Sequence, residues 1–214
     1  MAVTDPLALA EAPIVHEPLA VDEEVVEDVR FVLFVRPRTA TVQRIRLETH
    51  GHPIYRQRRV GRDGEPFDLY KLRTMVHGAE HLGAGMAVNE GDSRITRVGA
   101  FLRRTSLDEL PNLVNVLRGE MSIVGPRPTV QVQVDRYTER QRGRLSVLPG
   151  LTGWAQIQGR ASLPWHERIE LDLWYVEHAS LALDLRILWR TVRMVVGGHG
   201  LYKGETGGWR EPRT

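Results

Sequence analysis

Two adjacent acids, Asp108 and Glu109, sit among arginines and rigid prolines in the stretch from Arg94 to Pro128. An ionised aspartate can attack phosphorus directly, provided that arginine or a divalent metal offsets the charge of the incoming phosphate. The neighbours suit that chemistry. Arg103 and Arg104 lie just upstream, and Arg127 stands between Pro126 and Pro128, whose rings push Gly125 and Arg127 into extended geometry. A planar guanidinium held this way can grip phosphate oxygens in pairs. On the local sequence a structural ion pair accounts for Arg127 equally well.

The elements that must position these groups are partly readable. After the acids, Leu110, Leu113, Val114 and Leu117 repeat at helical spacing. Two starts for that helix compete. With Ser106 as N-cap, the run Ser106 to Glu109 is a capping box in which Glu109 returns a bond to the Ser106 backbone. A start at Asp108 instead places Pro111 among the donors that need no partner, and is the preferred register. In either case both carboxylates lie beside free N–H groups at a positive dipole end, which keeps them ionised and favours phosphate nearby.

Upstream, His50 to Met75 reads as a hairpin turning at Arg62-Asp63-Gly64, because Asp-Gly tolerates positive φ. On an alternating strand Lys71 and Arg73 share a face, either a paired cationic site or a solvated surface. Thr41 to Leu47 fits a strand or a short helix. His77 and His81 have the i, i+4 spacing of a metal pair, but with no third ligand they read as a surface loop or helix face. Gly83 to Ser93 reads as a mobile loop able to lie over a site. Downstream, Val130 to Leu148 is helix-like, centred on Gln131 to Arg142. Pro149 to Arg160 carries Trp154, Gln156, Gln158 and Arg160, which a base or sugar could use, although Trp154 suits a core position as well. From Leu185 to Val196, Leu185, Leu188, Trp189, Val192, Val195 and Val196 keep helical spacing, with Arg186, Arg190 and Arg193 on another face. That pattern describes a core-packing helix with a solvated arginine face, or a helix lying at an anionic membrane surface.

A chain of 214 residues holds one domain with a sizeable core. The absence of cysteine excludes disulfides, thiolate metal sites and thiol catalysis. The net charge of +2 hides an asymmetry: residues 1–28 hold eight acids and no Lys or Arg, leaving 29 basic against 19 acidic residues, a body of +10. A basic body suits anionic partners such as diphosphates, phospholipid surfaces or nucleic acid. Nucleic acid ranks last, since no recognised motif or aromatic-basic interleaving is present. Residues 1–28 read as a poorly ordered acidic tail without the features of a secretory signal, and 197–214 as a loose Gly-rich tail. Between Val29 and Arg38 the longest apolar run is Phe31 to Val35, a short strand by pattern and far below the ~20 residues of a membrane span.

Five blocks in order carry a family resemblance: Val60 to Gly64 with Pro66 to Met75; Ile95 to Gly99 with Leu102 to Leu113; Met121 to Pro128; Pro149 to Arg160; and Glu170 to Glu177. From about Ile45 to Val196 the chain closely resembles the bacterial sugar transferases, the monotopic phosphoglycosyl transferases. The resemblance implies a compact α/β (α+β) catalytic domain over 29–196, helices around a small β-hairpin or sheet, with amphipathic C-terminal helices. It implies transfer of a sugar 1-phosphate from a nucleotide diphosphosugar to polyprenol phosphate, at the start of exopolysaccharide or glycoconjugate synthesis. By the same resemblance Asp108 is the nucleophile, Glu109 a base or metal-site carboxylate, Mg²⁺ the cofactor held by Asp108 and Glu109, and Arg103 and Arg127 the phosphate-binding groups, supported by Lys71 and Arg73. Members of the family usually carry an apolar re-entrant helix where Val29 to Arg38 stands. Without one, the domain is expected on the cytoplasmic face of the bacterial cell membrane as a peripheral protein, held by its C-terminal basic face or by a membrane-bound partner. The competing reading is a non-catalytic binding or regulatory module; the intact set Asp108, Glu109 and Arg127 argues against decay.

Overall fold

A computed structural model of the chain describes residues 40–79, 82, 91–159 and 163–197. The acidic segment 1–28, the expected strand at Phe31 to Val35, His81, most of the Gly83 to Ser93 loop, Arg160 and the tail after Gly197 lie outside those residues.

The ambiguous stretch after Thr39 is a helix, α1 (Ala40–Glu48). The expected hairpin follows as β1 (Ile54–Val60) and β2 (Pro66–Leu72), paired antiparallel from Ile54 opposite Leu72 to Val60 opposite Pro66. Its connection is the single turn Arg62–Gly64, where Asp63 and Gly64 both take positive φ, 57° and 85°. Then come α2 (Arg97–Thr105), a 3₁₀ turn (Leu107–Glu109) and α3 (Asn112–Leu117). A second, parallel pair joins β3 (Ser122–Val124) to β4 (Gly150–Thr152).

The connection between these two strands corrects an expectation. No single helix runs from Gln131 to Arg142; two four-residue helices, α4 (Gln131–Val134) and α5 (Glu139–Arg142), are followed by a 3₁₀ turn (Gly143–Ser146). The break comes at Thr138, whose extended backbone and reciprocal capping box with Gln141 start a new helix in the middle of the polar run. The chain ends in α6 (Trp154–Gln158), α7 (Trp165–His178) and α8 (Leu181–Gly197).

Small apolar clusters hold these pieces around the hairpin. Leu72 packs with Ile45 of α1 and Leu102 of α2, whereas Phe67 and Leu69 pack with Met121 just before β3. Val60 meets Val134, Tyr137, Ile169 and Leu173, tying the hairpin tip to α7. Val124, Tyr175 and Ile187 join β3, α7 and α8, with Trp154 packed against them. Trp154 also stacks on Trp174, ring centres 4.9 Å apart, so its packing role prevails in this fold.

In α8 the apolar residues split into two faces. Ile187 is fully buried and Leu183 and Leu188 lean on the same cluster. Leu181, Leu185, Trp189, Val192 and Val196 point outward, 58 to 82 % exposed among the described residues. At about 100° per residue these five fall within an arc of about 80°, with Arg186 and Arg193 along one border. Among the described residues no helix is long and apolar enough to cross a membrane.

Candidate active site

The acids do not start a helix. Ser106 is the left-handed C-cap of α2 (φ 55°), and its N–H returns to the Arg103 and Leu102 carbonyls. The chain then doubles back through the 3₁₀ turn before α3, with Pro111 at the position preceding the helix. Both expected registers are thereby overturned in part: Ser106 makes no side-chain cap, while Pro111 does sit where its missing N–H costs nothing. The Glu109 N–H is already bonded to the Ser106 carbonyl at 3.3 Å, so it is not free for phosphate. A non-glycine residue in the left-handed region costs on the order of 1 kcal/mol, and here it stands two residues before Asp108, at the entry to the turn that carries both acids.

Side chains from three further segments meet that turn. Glu109 Oε1 accepts from Lys71 Nζ of β2 and from Arg127 Nη2 of the loop after β3, both at 2.8 Å. Burial alone would raise the Glu109 carboxyl, but the charges and hydrogen bonds of Arg127 and Lys71 outweigh it and hold the group well below the usual carboxylate range. Two cations, rather than a helix dipole, keep Glu109 ionised. Lys71 is lowered, because its burial and the Arg127 charge outweigh the pull of Glu109.

Asp108 behaves oppositely. It is only 9 % exposed, and burial together with the neighbouring Glu109 charge raises its carboxyl, against the pull of Lys71, Arg103 and Arg127. Two adjacent acids thus have their pKa values pushed apart, the pattern expected where they take different roles. Arg103 is set beside Asp108 by its Nε bond to Thr74 Oγ1 (2.9 Å). That contact depends on Gly99: a Cβ there would lie 1.9 Å from the Thr74 carbonyl oxygen, so no other residue lets α2 approach so closely.

Arg73 is the sequence candidate that the fold places elsewhere. It lies beyond the end of β2, and its guanidinium donates to the His50 carbonyl and packs on Gly51, away from the pairing expected with Lys71. His77 stands in a turn, its N–H on Thr49 Oγ1 at 3.0 Å.

The fold adds two residues that sequence reasoning missed. In the hairpin register Arg59 pairs with Phe67 and Tyr55 with Lys71, so Tyr55, Gln57, Arg59 and Lys71 share one face. Arg59 donates to Gln57 Oε1 (2.6 Å) and to the Pro128 carbonyl (3.4 Å). Burial and the Arg127 charge push its guanidinium down to about 10, which places it in the field of the same cluster. The signal available was its alternation with Gln57, unusable until the register is known. Asn115 of α3 is the second, 0 % exposed. Its amide accepts from the Tyr70 N–H (3.4 Å) and donates to the Asp68 carbonyl and to Glu120 Oε2 (both 2.7 Å). A side chain thus completes the open edge of β2 and locks α3, with the acids ahead of it, against the strand carrying Lys71.

Four cations, Arg59, Lys71, Arg103 and Arg127, therefore surround two carboxylates. The excess of positive charge suits a dianionic ligand such as a diphosphate. Among the described residues no group of three or more metal-ligating side chains exists. Asp108 with the remaining oxygen of Glu109 still fits Mg²⁺, which takes one or two protein carboxylates and completes its shell with water and phosphate oxygens.

Sequence comparison fits this arrangement. The family model described as bacterial sugar transferase matches residues 24–198. An uncharacterized sugar transferase of Bacillus subtilis, EpsL, is 44 % identical over 161 residues, which cover 75 % of this chain and 78 % of that one. The UDP-glucose:undecaprenyl-phosphate glucose-1-phosphate transferase of Caulobacter vibrioides is 45 % identical over 156 residues, 69 % of this chain and 58 % of its own. The undecaprenyl-phosphate galactose phosphotransferase of Salmonella typhimurium is 40 % identical over 166 residues, 71 % of this chain but 35 % of its own, so this chain spans a fraction of that longer protein. With the match running through the hairpin, the acid turn and the loop that carries Arg127, the chain belongs to the bacterial sugar transferase family.

Proposed function

We propose that this domain transfers a sugar 1-phosphate from a nucleotide diphosphosugar to polyprenol phosphate, with Asp108 as the nucleophile. The observation that carries the reading is a buried carboxylate beside a second one pinned by Lys71 and Arg127, in a ring of cations. An oxygen of ionised Asp108 attacks the sugar-bearing phosphorus. The bond from that phosphorus to the bridging oxygen breaks, and the nucleoside monophosphate leaves with the electron pair. In the second half, a phosphate oxygen of the polyprenol attacks the acyl-phosphate phosphorus and returns the carboxylate to Asp108.

Arg127, half exposed and holding Glu109 through one nitrogen, has further donors for the diphosphate oxygens, and Arg103 and Arg59 add charge beside it. Glu109, held ionised, orients Lys71 and Arg127. Bound Mg²⁺ would be held by Asp108 and Glu109 and would supply neutralisation of the diphosphate charge. The names of the Salmonella and Caulobacter relatives, both of which act on undecaprenyl phosphate, support the acceptor class.

Because the acceptor resides in a bilayer, the domain must meet a membrane surface. The outward apolar stripe of α8, bordered by Arg186 and by Arg193 stacked 4.7 Å from the Trp189 ring, suits peripheral docking on the anionic cytoplasmic leaflet.

The test is release of nucleoside monophosphate from a panel of nucleotide diphosphosugars, with Mg²⁺ and detergent-solubilised polyprenol phosphate present. Wild type is expected to release it, Asp108→Asn to fall by at least ~10³-fold, and chelation to stop release until Mg²⁺ is restored. A folded wild type that releases none from any donor would instead favour the binding-module reading.

A further inference from the structure

The loop carrying Arg127 is fastened at every residue. The Gly125 N–H bonds the Thr152 carbonyl (2.9 Å), and the Pro126 carbonyl accepts from the Gly150 N–H (2.8 Å). Arg59 reaches the Pro128 carbonyl (3.4 Å), and the Val60 N–H the Thr129 carbonyl (2.9 Å). The Arg127 carbonyl is held by a second arginine, Arg144, which is almost fully buried and paired with a buried carboxylate. Arg144 Nη2 donates to that carbonyl at 3.0 Å and, in the same fork, to Asp172 Oδ2 at 2.5 Å, while Nη1 bonds the Tyr137 hydroxyl.

Arg144 and Asp172 are 7 % and 2 % exposed, and their hydrogen bonds run to each other, to Tyr137 and to the Arg127 carbonyl and not to Asp108 or Glu109. A buried ion pair is seldom a good source of stability, since apolar residues of equal volume often serve as well or better. What such residues could not do is reach one carbonyl with a charged, planar donor set, here Arg144 of the 3₁₀ turn Gly143–Ser146, itself held by Asp172 of α7. With Pro126 and Pro128 restricting the backbone on either side, the position of that carbonyl fixes the direction in which the Arg127 side chain leaves the loop.

We propose that the buried Arg144–Asp172 pair is the positioning device for Arg127, holding its backbone so that the guanidinium stays on Glu109 with its open side toward the diphosphate. This rests on the proposed role of Arg127 in diphosphate binding. Both residues act through Arg127 and need no contact with the substrate. The pair also links α7, which packs on the hairpin tip through Ile169 and Leu173, to the anion-binding loop.

The experiment is a double-mutant cycle on the full chain, read as the dissociation constant of inorganic pyrophosphate by titration calorimetry with Mg²⁺ present. The variants are Arg127→Ala, Asp172→Asn, the two combined, and Leu173→Ala as a destabilised control on the same helix. Arg127→Ala and Asp172→Asn are each expected to weaken pyrophosphate by about tenfold, with the double variant no weaker than Arg127→Ala alone. Leu173→Ala, compared at a temperature where it is fully folded, should bind as wild type. Effects of Asp172→Asn and Arg127→Ala that multiply would overturn the proposal. So would equal weakening by Leu173→Ala, or no pyrophosphate binding by wild type. Release of nucleoside monophosphate reads the parent proposal separately: coupling without release sinks the catalytic reading and leaves the positioning one, and release without coupling does the reverse.

Discussion

At the residue scale, the opposed shifts of Asp108 and Glu109 set the pH behaviour. Asp108 must be ionised to attack, and its pKa lies above the ordinary aspartate value of about 3.9, so the acid limb of log kcat/KM falls above that pH. Arg127 pulls that pKa down, and Glu109 pushes it up. Arg127→Ala should therefore move the acid limb to higher pH, and Glu109→Gln should move it lower while slowing the reaction by about 10²-fold. A pH–rate series on the three proteins checks both signs; limbs that shift together, or not at all, would contradict the electrostatics. Asp108, Glu109 and Arg127 are singled out in sequence because two acids stand close to arginines and to an arginine flanked by prolines, and the family resemblance adds Lys71; the fold brings these four side chains together. Arg59 was not, because in sequence it is one arginine in a run that includes Arg56 and Arg58. Only the register separates it from those two, which face Asp68 on the other side of the sheet.

At the element scale, two close contacts carry the geometry. Gly99→Ala would drive a Cβ into the Thr74 carbonyl, and α2 must retreat, taking Arg103 with it. A loss of roughly 1–3 kcal/mol is expected in urea unfolding, together with a raised donor KM. Asn115→Leu keeps the branched shape but adds volume at a fully buried position and strands the Tyr70 N–H and the Asp68 carbonyl, so about 2–4 kcal/mol should be lost in the same assay. Either variant unfolding at the wild-type denaturant midpoint would show that these contacts are dispensable. The hairpin was legible because Asp63-Gly64 dictates its reversal. The helix starts were not: Ser106, the N-cap of one expected register, is a left-handed C-cap, and Thr138, not singled out in sequence, starts a new helix through its capping box with Gln141. The helical pattern across Val130 to Leu148 likewise hid its break, since the residues just after it, Glu139 to Arg142, are all polar and have no apolar periodicity to lose.

At the scale of the molecule, the fold positions one cationic site on the hairpin face and one outward apolar stripe on α8. The amphipathic spacing of Leu185 to Val196 was visible in sequence, but which apolar residues faced inward was not. Ile187, flanked by Arg186 and Leu188, turned out to be the core anchor. Replacing Leu185 and Trp189, both well exposed, with glutamate should leave the melting temperature within a few degrees of wild type. The same change should reduce co-sedimentation with vesicles of anionic phospholipid by about tenfold or more, because it removes apolar burial and adds repulsion. Unchanged co-sedimentation would move membrane contact to another surface or to a partner.

The central claim is that Asp108 itself carries the phosphosugar. The most direct measurement is mass spectrometry of the protein after incubation with Mg²⁺ and each nucleotide diphosphosugar in turn, with the polyprenol phosphate withheld. The account predicts a sugar-phosphate adduct on the peptide containing Asp108, absent from Asp108→Asn and discharged when the acceptor is added. Monophosphate release that occurs only with acceptor present, with no adduct at any time, would mean direct transfer between substrates and would contradict it.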